Sequence, residues 1–242
     1  MTTSNTAHGS VPPLQSVSAE DLDRLREFDT CILANAIERF QIRLRNEGYT
    51  GPGLQCLFED LQPMLGYAVT GRVRSSNPPM KGGWYFERTD WWSAMVSAPE
   101  PRVAVLEDIE TPPGRGSVAG EMHVQVLRKL GSVGLVTNGA VRDVPAVREL
   151  GFPLYAGSVS VSHSYYHIVD FGTPVDIFGL GIAPGDLLYG DRHGILSIPK
   201  QIVKELPEVA IRIQARERKI IDFCQSPEFS LEKLKNELKS LA

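Results

Sequence analysis

Three cysteines in 242 residues, Cys31, Cys56 and Cys224, are too few and too scattered for a disulfide framework, and their number is odd. They read as buried or free thiols of a reducing compartment. No apolar run approaches the ~18 residues of a membrane span. Lys and Arg do not exceed Asp and Glu: 25 stand against 29, a formal charge of −4, with no basic run. That balance excludes the usual electrostatic nucleic-acid binder. The opening stretch MTTSNTAHGSVPPLQS is polar and lacks the charged-then-apolar order of a secretory signal. No HExxH zinc helix is present, and no Lys-Ser or Lys-Thr follows the glycine loop at 114–120 as a phosphate loop requires. No repeat of ~20–50 residues is visible. The expectation is a soluble cytoplasmic protein with no nucleic-acid or membrane partner.

What is present suffices for an ordinary core: 42% of residues are hydrophobic and 22% charged. Residues 1–17, rich in Ser, Thr and Pro, read as a flexible tail. Residues 18–223 read as one domain and 224–242 as a helical extension. Ser18 with Asp21 has capping-box spacing, and Leu22, Leu25 and Phe28 supply an apolar face. A second helix starts at Asp29 or Thr30. Strands are expected over 69–73, 102–106, 174–178, 187–191 and 194–198, and over 159–167, where VSVSHSYYH alternates. There His163 and His167 share a face, too far apart for one ion. Pro207 divides a short helix from a longer one ending near Phe223, and Ser230 caps a last amphipathic helix. The aromatics Trp84, Tyr85, Phe86, Trp91 and Trp92 fit either a pocket lining or packing in a core or interface. Glu107, Asp108 and Glu110 fit solvated loop charges, or an acid pair that binds a metal or shifts one another's pKa. Asp191 and His193 read as turn residues.

The rest of the chain is organised around residues 120–155, a helix–strand–turn–helix–strand unit. Residues 121–130 suit a helix stopped by Gly131, 133–136 a buried strand, Asn138-Gly139 a turn, 144–150 a second helix and 152–155 a second strand. Arg142 and Asp143 stand at the mouth of a strand where a helix begins, a common place for ligands in open sheets. Two uses fit the pair. Asp143 can cap the helix that follows, with Pro145 in its first turn and Arg142 solvated. Or Arg142 grips a carboxylate with its planar fork while Asp143 helps hold a divalent cation. A carboxylate has two oxygens, so both can hold at once.

The block NGAVRDVPAVRELGFPLYAGS, followed by APGDLLYGDRHGILSIP, resembles the RraA-like family, which includes the regulator of ribonuclease activity A and the class II aldolases that act on 4-hydroxy-4-methyl-2-oxoglutarate. Gly120, Arg142 and Asp143 fit the family's fingerprint. Ala146 stands where the aldolases carry a further acid. The resemblance implies an α/β fold, a layered β/β/α "swivelling" sandwich with flanking N- and C-terminal helices, assembled as a homotrimer or hexamer. It implies a lyase dependent on Mg²⁺ or Mn²⁺ that cleaves a C–C bond of a 2-oxo acid and yields pyruvate through a metal-stabilised enolate, as an oxaloacetate decarboxylase or an aldolase. Asp143 would hold the metal through water, and Arg142 would bind substrate and steady the enolate. Gly120 and the backbone amides of Met122 and His123 would bind the substrate's carboxylate and keto oxygen. Glu121 would orient water, and Glu217 would reach a neighbouring subunit's site; an ordinary surface acid is the other use of Glu217. The family equally allows a non-catalytic regulator of RNA processing that binds another protein.

Overall fold

The computed structural model describes residues 17–79 and 85–240, so nearly all of the expected 1–17 tail and Trp84 lie outside the described residues. Local signals start the first two helices. Ser18 Oγ accepts the Asp21 amide at 3.1 Å and α1 spans Ala19–Leu25. Asp29 Oδ1 accepts the Ile32 amide at 2.8 Å and α2 spans Thr30–Glu38.

Among the described residues the main sheet has eight strands. Its path runs β1 (Gln55–Cys56), β7 (Leu154–Ala156), β5 (Ser132–Thr137), β3 (Arg102–Asp108), β2 (Met64–Arg74), β12 (Leu187–Asp191) and β13 (Gly194–Ile198). The eighth, β9 (His167–Phe171), pairs with the far half of β2. Strands β2, β3, β5 and β7 are parallel. Helices α3 (Arg88–Val96), α4 (Glu121–Lys129) and α5 (Val144–Glu149) lie in the connections between them, as parallel pairing demands. A bridge from Tyr49 to Leu196 brings the sheet close to closure.

The period-two alternation of the strands divides the core. Val69, Val73, Ala104, Leu106, Leu135 and Leu154 pack with α3, α4 and α5. Tyr67, Tyr189, Leu196 and Ile198 of the same sheet pack with α1, α2 and α6 (Leu206–Gln225). Met64, Ala68, Val103, Val105, Val136 and Tyr155 face the other way, onto the hairpin of β10 (Val175–Ile177) and β11 (Leu180–Ile182). Hairpin, sheet and helices are the three layers of the expected sandwich. Pro207 lies in the first turn of α6, which continues through Gln225 and carries α7 (Leu231–Ser240). No helix among the described residues is long and apolar enough to cross a membrane.

Three short strands continue from the carboxyl ends of the parallel ones. These are β4 (Ser117–Ala119), β6 (Ala140–Val141) and β8 (Ser158–Val159), paired as one small parallel sheet. The strand expected over 159–167 is not formed beyond Val159. The chain turns through Ser164 at φ 48°, the Ser162 carbonyl accepts the Ser117 amide at 2.8 Å, and the Tyr165 amide donates to the Ser75 carbonyl at 3.0 Å. Bonds to β4 and to Ser75, just past the end of β2, thus replace the ladder that the alternation suggested. His163 and His167 each bond a neighbouring backbone carbonyl, and the described residues hold no cluster of three or more metal-binding side chains. Buried Arg102 fixes the far ends of α3 and α4: its guanidinium donates to the Val96, Ala98 and Leu130 carbonyls, with Glu100 as counter-ion.

Candidate functional site

The small sheet and the N-termini of α3, α4 and α5 enclose a cleft of about 210 Å³. Its walls are Arg88, Ser117–Ala119, Gly120, Met122, His123, Arg142, Asp143 and His163. At ~30 Å³ per liquid water it has room for roughly seven waters, enough for a small organic acid.

The Arg142 amide donates to the Ala119 carbonyl at 2.9 Å, which places the pair beside α4. Asp143 stands at the N-cap position of α5, but its backbone is left-handed, at φ 55° and ψ 32°, and its side chain makes no cap bond to its own helix. Its Oδ2 instead accepts the Glu121 amide of α4 at 3.1 Å and lies 3.6 Å from Arg142 Nε. The capping expectation is therefore corrected in direction: Asp143 caps the neighbouring helix. Left-handed φ costs a non-glycine residue of order 1–3 kcal/mol and persists only where the surroundings impose it. Gly120 makes this approach possible, since a Cβ there would stand 2.3 Å from Asp143 Oδ2 and 3.0 Å from Arg142 Cγ.

The first-turn amides of a helix lack acceptors within it. Asp143 takes that of Glu121, which leaves those of Met122 and His123 for a ligand in the cleft they line. The Glu121 side chain is exposed and is not among the cleft walls. His123, 3% exposed, is fixed as a neutral ring: Nε2 accepts Trp92 Nε1 at 3.2 Å and Nδ1 faces the Val118 carbonyl at 3.2 Å. Burial pushes its pKa down to about 4, and the Arg88 charge pushes the same way. Trp91 and Trp92 pack around that ring, so these two aromatics are core that supports the cleft floor.

Glu217 is not among the cleft walls of its own chain; it accepts Asn35 Nδ2 at 3.3 Å across the α2–α6 contact. Asp108, read as a solvated loop charge, is buried and takes the amides of Gly114 and Glu110 at 2.8 and 3.1 Å. Asn138 closes the same loop by exchanging two bonds with the Asp108 backbone. Arg88 escaped the sequence reading. A signal existed, because Glu87 and Asp90 have capping-box spacing, and Asp90 Oδ2 accepts the Glu87 amide at 3.0 Å.

A larger cavity of about 550 Å³ lies elsewhere, between the start of α2 and the β12–β13 turn. Three of the four acids that line it are committed to structure. Asp29 caps α2, Asp191 binds the Thr30 amide and hydroxyl, both at 2.8 Å, and Asp60 pairs with Arg148.

The sequence model of the RraA-like family, described as Aldolase/RraA, matches residues 30–197. A Halalkalibacterium halodurans protein provisionally named a 4-hydroxy-4-methyl-2-oxoglutarate aldolase is 31% identical over 123 residues, 49% of this chain and 59% of its own length. An uncharacterized protein of Methanocaldococcus jannaschii is 25% identical over 171 residues, 69% of this chain and 76% of its own. Among solved structures, an uncharacterized protein from Pseudomonas syringae pv. tomato has a TM-score of 0.69 at 23% identity, covering 93% of this chain and 98% of that one. Streptomyces coelicolor RraAS2, described as an unusual member of the RNase ES inhibitor RraA family, has a TM-score of 0.67 at 22% identity, covering 85% and 98%. These two structural likenesses speak to the fold alone.

Proposed function

The chain belongs to the RraA-like family, and we propose that it is a divalent-metal-dependent lyase that cleaves a C–C bond of a 2-oxo acid and releases pyruvate. The observation that carries this reading is the convergence of the Arg142 guanidinium, the Asp143 carboxylate and the free amides of α4 on one small cleft. The name of the Halalkalibacterium relative supports the substrate class.

The donor set suits magnesium or manganese better than a caged metal. Asp143 Oδ1 remains for a water-mediated contact, and magnesium commonly binds through one or two carboxylates with waters and substrate completing its shell. A bound ion would polarise the substrate's keto oxygen as a Lewis acid. The amides of Met122 and His123 take the carboxylate end of the substrate, and Arg142 donates to the keto oxygen. When the C3–C4 bond breaks, its electron pair stays on C3 and spreads to that oxygen. Arg142 is placed where the charge grows, a form of stabilisation typically worth several kcal/mol. In decarboxylation, carbon dioxide leaves from C4 and a proton from water completes pyruvate at C3. A retro-aldol step also needs a base for the C4 hydroxyl. Here Ala146 offers none; Glu121 and, in a homotrimer or hexamer, Glu217 of a neighbouring copy would act through water. Decarboxylation of oxaloacetate is therefore the easier chemistry for this cleft.

The test is pyruvate release from oxaloacetate and from 4-hydroxy-4-methyl-2-oxoglutarate, with magnesium and after chelation. Metal-dependent release from either supports the proposal, and no release above the uncatalysed rate from both defeats it. One observation favours the regulator reading instead: Met122, Val159, Val161 and Tyr165 expose apolar surface near the cleft rim, which suits a protein partner. Capture of a ribonuclease by a catalytically silent wild-type chain would support that reading.

A further inference from the structure

We infer that Arg88 is a specificity-determining residue that holds the second carboxylate of a 2-oxo diacid; the inference rests on the proposed lyase site. Arg88 enters the cleft from α3, a different wall from the β6–α5 junction that carries Arg142. Its guanidinium lies 4.6 Å from the centroid of the Tyr166 ring. Such stacking orients the planar fork and leaves its N–H edges unspent. Among the described residues Arg88 makes no ion pair and no side-chain hydrogen bond. An arginine lining a cleft without a carboxylate of its own is a counter-ion in search of an anion.

The charges of the cleft point the same way. Two guanidiniums face one carboxylate, and that carboxylate is already engaged by Arg142 and the Glu121 amide. The two cations mark separate places along α4. Arg142 lies against Gly120, whereas Arg88 stacks on Tyr166, whose ring centroid is 6.5 Å from that of His123, three residues further and about 4.5 Å along a helix that rises 1.5 Å per residue. A ligand anchored at the Gly120 end by its 2-oxo carboxylate thus meets a second cation only if it carries a second anionic group. The buried His123 ring beside Tyr166 is neutral and cannot compete for that anion.

The test is calorimetric titration of the full chain in magnesium with oxalate, 2-oxoglutarate and 2-oxovalerate. Oxalate probes the Arg142 end alone, and the other two differ in the distal carboxylate. Wild type should bind 2-oxoglutarate roughly 10- to 100-fold more tightly than 2-oxovalerate, the range of one hydrogen bond to a charged group. In Arg88→Gln that preference should vanish with oxalate and 2-oxovalerate affinity unchanged, and Arg88→Lys should restore part of it. Unchanged oxalate binding also certifies that the variant has folded. If Arg88→Gln keeps the preference, or weakens all three ligands alike, the role given to Arg88 is wrong while the lyase site stands. If wild type binds none of the three, the lyase reading fails and this inference falls with it.

Discussion

The two cavities teach opposite lessons about where chemistry sits. The cavity beside α2 has more than twice the volume of the Arg142 cleft, about 550 against 210 Å³. Yet Asp29, Asp191 and Asp60 in it each satisfy a helix amide, a threonine or an arginine. The smaller cleft spends its groups incompletely. Asp143 uses one oxygen, two α4 amides lack acceptors within their helix, and Arg88 has no anion. Charge separates the two better than volume does: Arg88 and Arg142 face Asp143 alone, itself held by costly backbone geometry, whereas four acids line the larger cavity.

Variants sharpen that contrast. The largest effect is expected from Arg142→Ala and Asp143→Ala, which should lower the rate of pyruvate release by about 10²–10³-fold. Thermal unfolding should move by no more than a few degrees for partly exposed Arg142, and further for Asp143→Ala, which also removes the α4 cap and puts alanine at φ 55°. Equal loss of activity and stability would make the pair structural.

Acid should act next, through the floor of the small cleft. The folded pKa of His123, about 4, lies below its ordinary value of 6.5, so the unfolded chain binds a proton that the folded chain refuses. Its contribution is complete above pH ~6.5 and is lost as pH falls towards 4, reaching about 3 kcal/mol at roughly 1.4 kcal/mol per unit. Urea unfolding at stepped pH should show that slope, and His123→Gln should flatten it. A slope that survives the substitution would assign the acid sensitivity to other groups.

Gly120→Ala tests the close approach. The added carbon would displace the Asp143 carboxylate and Arg142, and a displacement near 1 Å can cost ~10²-fold in turnover. Steady-state rates near wild type would show that Asp143 need not lie against α4. The smallest effect is set in the larger cavity. Asp191→Ala removes the acceptor of the Thr30 amide and hydroxyl and should cost about 2 kcal/mol in stability. Turnover per folded molecule should stay unchanged, and a loss there would move chemistry to the larger cavity.

The sequence revealed the features governed by neighbours in the chain. Ser18 and Asp29 cap their own helices, Gly131 follows α4, and the apolar runs of β3 and β5 became buried parallel strands. It missed what depends on residues far apart in it. Asp143 has the identity and the following proline of a self-capping residue, but Gly120 lets its carboxylate reach α4. Asp108 looks like one loop acid among three until Gly114 and Asn138 enclose it. The alternation over 159–167 gave way because Ser75 and Ser117 offered its backbone partners outside a ladder. Arg142 and Asp143 stood out by their place at a strand mouth, and the cleft brings them together; the Glu87–Asp90 spacing marked the start of the helix that carries Arg88, but the stacking of Arg88 on Tyr166 depends on residues far apart in the chain.

A crystal structure of the protein grown with magnesium and oxalate tests the central claim most directly. Oxalate should occupy the small cleft, with one end at the Met122 and His123 amides, an oxygen on the Arg142 guanidinium, and the cation linked through water to Asp143. Oxalate seated beside Arg192 and His193 in the larger cavity, with the small cleft holding only solvent, would contradict the account.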